Sequence, residues 1–558
     1  MKNDVEISEE AAVRRITEIA ESVGIPADDI EQHGKYIAKI PLDVLARFDG
    51  NRDGKLVLVT AVTPTPAGEG KTVTTIGLIQ GLSRIGKKVV GALREPSVGP
   101  TFGVKGGATG GGYSQVYPMC DIDLHFTGDI HAVSSAHNLL SAVLENALVR
   151  DNPLRIDPTR IVLKKAVDMN CRELRSIMVG LGNSRLNGGV PHESGFLITS
   201  ASEISAILAL ASGYRDLRER LERMVVAYSY DGGMVTVKDL GCAGAMMVLL
   251  KDAIKPNLVQ TLEGQPVFIH GFPFANIAHG NNSIIATRYA LKLGDYAVTE
   301  AGFAADLGGE KFMDIVCRQS GLSPDCVVIV ASVRALMTHG GADLAVPESL
   351  TEEALLKGVS NLDKHIENIK GYGVPVVVSI NHFSFDDPAH MALLRDHCAK
   401  VGAECVQSDA FSDGGKGAEE AARKVVEAIE RGGKDFRPLY GDSSSLKEKI
   451  ETIATKIYGA DGVSYAPQAE KTLADLESKG FGRLPICIAK TQYSISDRAE
   501  LKGAPKGWIL SVREVSLSAG AGFVIPICGS MMLMPGLSGS PAALRIDLTD
   551  EGKVTGLK

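Results

Sequence analysis

The chain has 558 residues, of which 44% are hydrophobic and 23% charged, with 61 glycines in no fixed period. That balance excludes a disordered chain, a collagen and a small disulfide scaffold, and the length predicts roughly two to four domains, because one core stops growing above about 250–300 residues. With 59 Lys and Arg against 67 Asp and Glu, a net charge of −8, wholesale nucleic-acid binding is excluded, while a local basic pocket for one anion is not.

The opening stretch, MKNDVEISEEAAVRRI, is too charged for a secretory signal. Residues 8–23 read as one amphipathic helix, with Ser8 as N-cap, Val13, Ile16, Ile19, Ala20 and Val23 on one face, and Gly24 as its stop. From residue 55 the pattern becomes strand, turn, helix, repeated. Short apolar runs at 55–62, 88–93, 267–270, 296–299, 327–331, 374–380 and 404–406 predict strands. Most lack polar alternation, which predicts burial on both faces of a parallel sheet. Helical patterns at 72–85 and 418–430 alternate with them, the signature of a doubly wound α/β architecture.

A helix at 350–358 places one boundary near 360, and a polar link at 432–445 places another. The division expected is 1–360, a phosphate-loop nucleotide-binding domain with an N-terminal helical extension; 361–440, a smaller α/β domain; and 441–558, a C-terminal α/β domain with helix over 447–480. Residues 516–544 carry no charge, long enough to span a bilayer, but glycines and prolines from Gly520 to Pro541 would break a spanning helix. The stretch reads as a buried strand and loops, with no membrane partner. The nine cysteines include no CxxC pair and lie mostly in apolar context, which predicts buried free thiols in a reducing cytoplasm and no zinc site.

The strongest local motif is Thr65-Pro66-Ala67-Gly68-Glu69-Gly70-Lys71-Thr72, placed between a strand and a helix. It meets the pattern GxxxxGK[ST] except that Thr65 stands at the first glycine. Backbone N–H groups and the helix start would hold phosphates, Lys71 would neutralise them, and Thr72 would offer its hydroxyl to a nucleotide-bound Mg²⁺. Arg94 follows the strand at 88–93 and so falls on the same sheet edge, placed to hold a carboxylate or a transferring phosphoryl group; a surface pair with Glu95 is the bland alternative. Six glycines between Gly103 and Gly112, flanked by Lys105 and Tyr113, would let a ligand approach the backbone or would move as a lid. The segment Asp121 to His131 has metal-ligand types, yet its alternation also fits a plain strand. Asp121, Asp123, Asp129, Glu300 and Asp306 are candidates for metal or proton work.

Taken together, Thr63–Thr72, Arg94–Gly103 running into Gly-Gly-Gly-Tyr-Ser-Gln, Leu124–Asp129, His270–Gly280, Thr299–Phe303, Lys490–Ser494 and Met534–Leu537 resemble the formate–tetrahydrofolate ligase family, over about the whole chain from residue 50 onward. The resemblance implies ATP, formate and tetrahydrofolate as substrates, 10-formyltetrahydrofolate, ADP and phosphate as products, and formyl phosphate as intermediate. It further implies Mg²⁺ with ATP, a monovalent cation (K⁺ or NH₄⁺), a cytoplasmic homotetramer, and Arg94 as the clamp for formate and then formyl phosphate. The family brackets the pterin with a Phe and a Trp. The first falls on Phe383 and the second on Phe411, so Phe replaces Trp here, and Ser384 replaces the usual Pro. Residues 361–440 would then contribute the folate pocket. Two other readings use the same motifs: a phosphate-loop ATPase or switch protein, and a ligase for another carboxylate.

Overall fold

Seven parallel strands form the spine of the computed structural model, which describes every residue except Met1, Ala67, 104–108, 183–187, Ser530 and Lys558. In spatial order they are Pro266–Ile269, Val89–Leu93, Tyr296–Glu300, Lys55–Ala61, Cys326–Ala331, Val376–Asn381 and Glu404–Ser408. All seven apolar runs of the sequence are therefore strands of one sheet. Their continuous hydrophobicity has the expected cause: Leu56 and Leu58 enter the core on one face while Val57 and Val59 enter the core on the other. Helices Lys71–Arg84 and Glu419–Arg431 supply the second core, and Ile284–Leu293 and Glu352–Gly371 supply the first.

The sheet has twelve strands, and its far edge is antiparallel. Asn257–Thr261 pairs antiparallel with Pro266–Ile269, Ile37–Lys39 and Ser114–Tyr117. These strands are short and carry Asn, Gln, Lys and Ser, so no apolar run marks them. The strand Val89–Leu93 is parallel to Lys55–Ala61, with Tyr296–Glu300 inserted between the two.

Several helical expectations are corrected. Residues 8–23 form two helices, Asp4–Glu10 and Ile16–Ser22, because Ala11 is extended; Asn3 caps the first through a capping box with Glu6, and Ser8 lies inside it. The segment 119–131 is not a strand: Met119–Asp123 is a short helix, and Gly128, at φ +90°, starts the helix Asp129–Val149. Between 447 and 480, helices Leu446–Thr452 and Pro467–Ser478 are separated by the strand Gly462–Tyr465. The helix expected to end at 358 runs on as Glu352–Gly371, through residue 360, and the two strands after it extend the same sheet.

In the C-terminal part, Gly462–Tyr465, Ile509–Ser518 and Phe523–Cys528 make a separate sheet, which takes up the first half of the uncharged stretch. Among the described residues no helix is long and apolar enough to cross a membrane. Lys490, fully buried, ties this part to the spine with Nζ 2.8 Å from Asp306 Oδ2.

Candidate active site

The carboxyl ends of the middle strands converge on one buried acid. Glu300 ends its strand beside Val59 of Lys55–Ala61 and is wholly buried. Lys71 and Thr72 begin the helix that follows the Lys55–Ala61 strand and its glycine loop, and Arg94 follows Val89–Leu93 on the other side. Lys71 Nζ lies 3.2 Å from Glu300 Oε2, and Thr72 Oγ1 donates to the same oxygen at 3.1 Å. Arg94 Nε stands 3.8 Å from Glu300 Oε1. Arg94 is thus not a surface partner of Glu95.

The electrostatics follow from that crowding. Burial alone would raise the Glu300 carboxyl, but Lys71 and Arg94, with hydrogen bonds from Lys71 and Thr72, outweigh it and hold the acid below its usual value. Burial lowers the Lys71 ammonium, Glu300 opposes that effect and Arg94 reinforces it. Glu300 is therefore a carboxylate, flanked by two cations whose charges it does not fully cancel. Among the described residues Arg94 Nε has no hydrogen-bond partner, so the guanidinium keeps donor capacity for an anion.

The loop before Lys71 is shaped by two glycines, Gly68 at φ +73° and Gly70 at φ +75°. A side chain at Gly70 would also place its Cβ 2.1 Å from Asn381 Nδ2, so the loop packs against the end of Val376–Asn381. Thr65 N and Oγ1 donate to Glu69 Oε1 at 2.7 and 3.1 Å, closing the loop on itself. Pro66 is exposed, and Ala67 lies outside the described residues, as does Lys105.

The entry to the loop is pinned from below. Thr63 N donates to Asn361 Oδ1 at 3.1 Å, Asn361 Nδ2 donates to Thr63 Oγ1 at 2.9 Å, and His339 Nε2 donates to Thr63 O at 2.8 Å. His365 Nε2 shares a 3.1 Å hydrogen bond with Thr63 Oγ1. All four side chains are buried, and burial pushes both imidazoles down to about 4, so they are neutral at pH 7.

Phe383 and Phe411 stand beyond the ends of adjacent strands, since Asn381 pairs with Ser408 in register and His382 N donates to Ser408 O at 3.0 Å. Phe383 N donates to Asp386 Oδ2 at 2.9 Å. Phe411 is 39% exposed, and its carbonyl accepts from Tyr113 N at 2.9 Å. The glycine-rich segment thus ends against Phe411, where Gly111 leaves room for the ring. His382 Nδ1 and Asp409 Oδ1, 2.5 Å apart, join the two strand ends.

Of the five acids singled out in the sequence, Asp121 is exposed, Asp129 pairs with Lys39 at 2.7 Å, Asp123 accepts from Thr109 Oγ1 at 3.0 Å and Asp306 pairs with Lys490; among these described residues Glu300 alone reaches Lys71 and Arg94. Sequence reasoning did not single out Asn381, Asn361, His339 or His365. Asn381 had a signal, as the polar residue ending an apolar run, and the others sit inside helices without one. Among the described residues no group of three or more His, Cys, Asp or Glu is arranged to hold a metal. Thr72 and Glu300 fit an Mg²⁺ that takes its remaining ligands from phosphate and water.

Compared with known proteins, residues 2–558 match the family model described as formate–tetrahydrofolate ligase. A curated relative from Symbiobacterium thermophilum, named formate–tetrahydrofolate ligase, is 55% identical over 561 residues, covering 100% of both chains.

Proposed function

From the premise that this chain belongs to the formate–tetrahydrofolate ligase family and joins formate to tetrahydrofolate with ATP, we propose that formate is phosphorylated between Lys71 and Arg94. The observation that carries this reading is the shared carboxylate: Glu300 takes a hydrogen bond or ion pair from Lys71, Thr72 and Arg94 together. In this reading the sheet has phosphate-loop NTPase character, with residues 65–72 around the β- and γ-phosphates. Thr72, beside Glu300, would hold a Mg²⁺ bound to ATP, and that ion would supply charge stabilisation to the transferring phosphoryl group.

A formate oxygen attacks the γ-phosphorus in line and ADP leaves, giving formyl phosphate. Arg94 orients formate by a charge-assisted hydrogen bond and then holds the acyl phosphate. Lys71 and the loop amides stabilise the charge that develops on the phosphoryl oxygens, and Glu300 keeps both cations in place without carrying them off as full ion pairs. The N10 amine attacks the formyl carbon, phosphate departs with its bonding pair, and the amine proton is lost. The pterin lies between Phe383 and Phe411, at the sheet edge contributed by 361–440.

By resemblance the enzyme works in the cytoplasm as a homotetramer activated by K⁺ or NH₄⁺.

Phosphate release measured with each substrate omitted in turn tests the reading. Release should require ATP, formate and tetrahydrofolate together. Steady release without formate would point to the ATPase or switch alternative, and release with a longer carboxylate in place of formate to a ligase of different specificity.

A further inference from the structure

Phe385 is a large aromatic side chain left 54% exposed beside the proposed folate wall. Its ring is nearly parallel to that of Phe383, at an interplanar angle of 7° with centroids 5.2 Å apart. The Arg334 guanidinium lies over the same ring, 3.7 Å from its centroid. The Arg334 guanidinium covers this ring face and also acts electrostatically on the neighbouring Asp386 carboxyl. Arg334 sits in the helix Val333–His339, whose capping residue Ser332 donates to Gly68 O of the phosphate loop at 3.4 Å. The three groups form a tier, Arg334 and then Phe385 and then Phe383, standing on an element fixed to the nucleotide loop.

From this tier we infer that Phe385 is a positioning residue for tetrahydrofolate: clamped by Arg334, it fixes the plane of the Phe383 ring against which the pterin stacks. The inference rests on the reading of Phe383 as a folate wall. Its physical basis is preorganisation. A half-buried phenylalanine side chain just past a strand end, as Phe383 is, can turn about its torsions, and each disordered orientation must be given up when a flat substrate binds. Offset stacking on one face and a cation behind remove that freedom beforehand. A firm Phe383 also matters more here because the opposite wall, Phe411, offers less area than the Trp it replaces. Phe385 need not touch substrate to act in this way.

The test uses the full-length enzyme with steady-state kinetics in which each substrate is varied. Phe385→Ala should raise the tetrahydrofolate KM by about 3- to 10-fold, the range expected for loss of one aromatic pair. The ATP KM and the melting temperature should stay near wild type. Phe385→Tyr should restore the folate KM to within about twofold, since the stack survives, whereas Phe385→Leu, similar in bulk, should not. Arg334→Met should raise the folate KM by a smaller factor than Phe385→Ala. Phe383→Ala is the control. If it raises the folate KM while Phe385→Ala leaves that constant unchanged or lowers it, the positioning role is overturned and the folate wall stands. If neither substitution changes the folate KM, the folate wall itself is misplaced and the inference falls with it. Restoration by Leu as well as Tyr would mean simple packing, and would also overturn it.

Discussion

The middle of the sheet and its edge solve opposite problems. At the middle, Glu300 is wholly buried and the side chain of Lys71 is 13% exposed, so charges meet where water is scarce. At the edge, Phe411 and Phe385 are 39% and 54% exposed, so apolar rings meet water. This inverts the usual arrangement of polar surface and apolar core, and each inversion costs stability unless function repays it. Charges in a dry centre act strongly on a developing phosphoryl charge, and aromatic faces at an open edge admit a flat ring from solvent. The contrast teaches where to look in such a sheet: the chemistry gathers where three parallel strand ends abut, and recognition where the sheet stops.

Glu300→Gln should break this contrast most severely. It leaves Lys71 and Arg94 buried without their carboxylate, and breaking a buried ion pair costs about 3–5 kcal/mol. The urea midpoint should fall clearly and turnover should fall by at least about 100-fold; a variant of wild-type stability would show that the two cations do not depend on Glu300. Lys71→Ala should leave the fold intact and remove about 3–4 kcal/mol of transition-state stabilisation, read as near-complete loss of phosphate release. Near-normal turnover would remove Lys71 from the chemistry.

At the edge the effects should be smaller and confined to one substrate. Phe411→Ala should weaken tetrahydrofolate by about 1–3 kcal/mol, by analogy with base–aromatic stacking, while the KM values for ATP and formate hold. Phe411→Trp should tighten folate or leave it unchanged. Equal changes in all three KM values would make Phe411 a packing residue.

Acid sharpens the comparison from the other side, because the shifted histidines lie in the interior. Burial lowers His137, His270, His339 and His365 to about 4 and His279 to about 3, the last with help from Lys311, Arg220 and Arg94. In the unfolded chain each titrates near 6.5. Between those values the unfolded chain binds protons that the folded one refuses, so stability falls as pH drops from about 6.5 toward 4, by up to about 1.4 kcal/mol per pH unit for each histidine. Urea midpoints compared at pH 7 and pH 5 measure it; equal midpoints would contradict the buried, neutral assignments.

The spine was legible because two-sided burial writes itself as unbroken apolar runs, as in Val327-Val328-Ile329-Val330. Lys71 and Arg94 could be placed on one edge from strand direction alone. The single acid that joins them could not be chosen among five, because pairing depends on strand order, and the insertion of Tyr296–Glu300 between Val89–Leu93 and Lys55–Ala61 is a long-range event. The same holds for Asn361 and His365, which reach Thr63 from 298 and 302 residues away. The antiparallel edge was missed because Asn257, Gln260 and Thr261 interrupt its hydrophobic pattern. The two aromatics were located by family resemblance, and the partner of Phe411, the turn at Gly111–Tyr113, emerged only in three dimensions.

Lys71 and Arg94 divide the labour between nucleotide and formate, and Arg94→Ser tests that division most directly. ATP affinity, measured by calorimetry, and formate-dependent phosphate release should be followed on the same preparation. ATP should bind within about threefold of wild type, since the loop at 65–72 is untouched, while formate-dependent release should fall by about 100-fold or more, the cost of one charge-stabilising contact. Loss of ATP binding with formate dependence unchanged would place Arg94 in the nucleotide site and contradict that division.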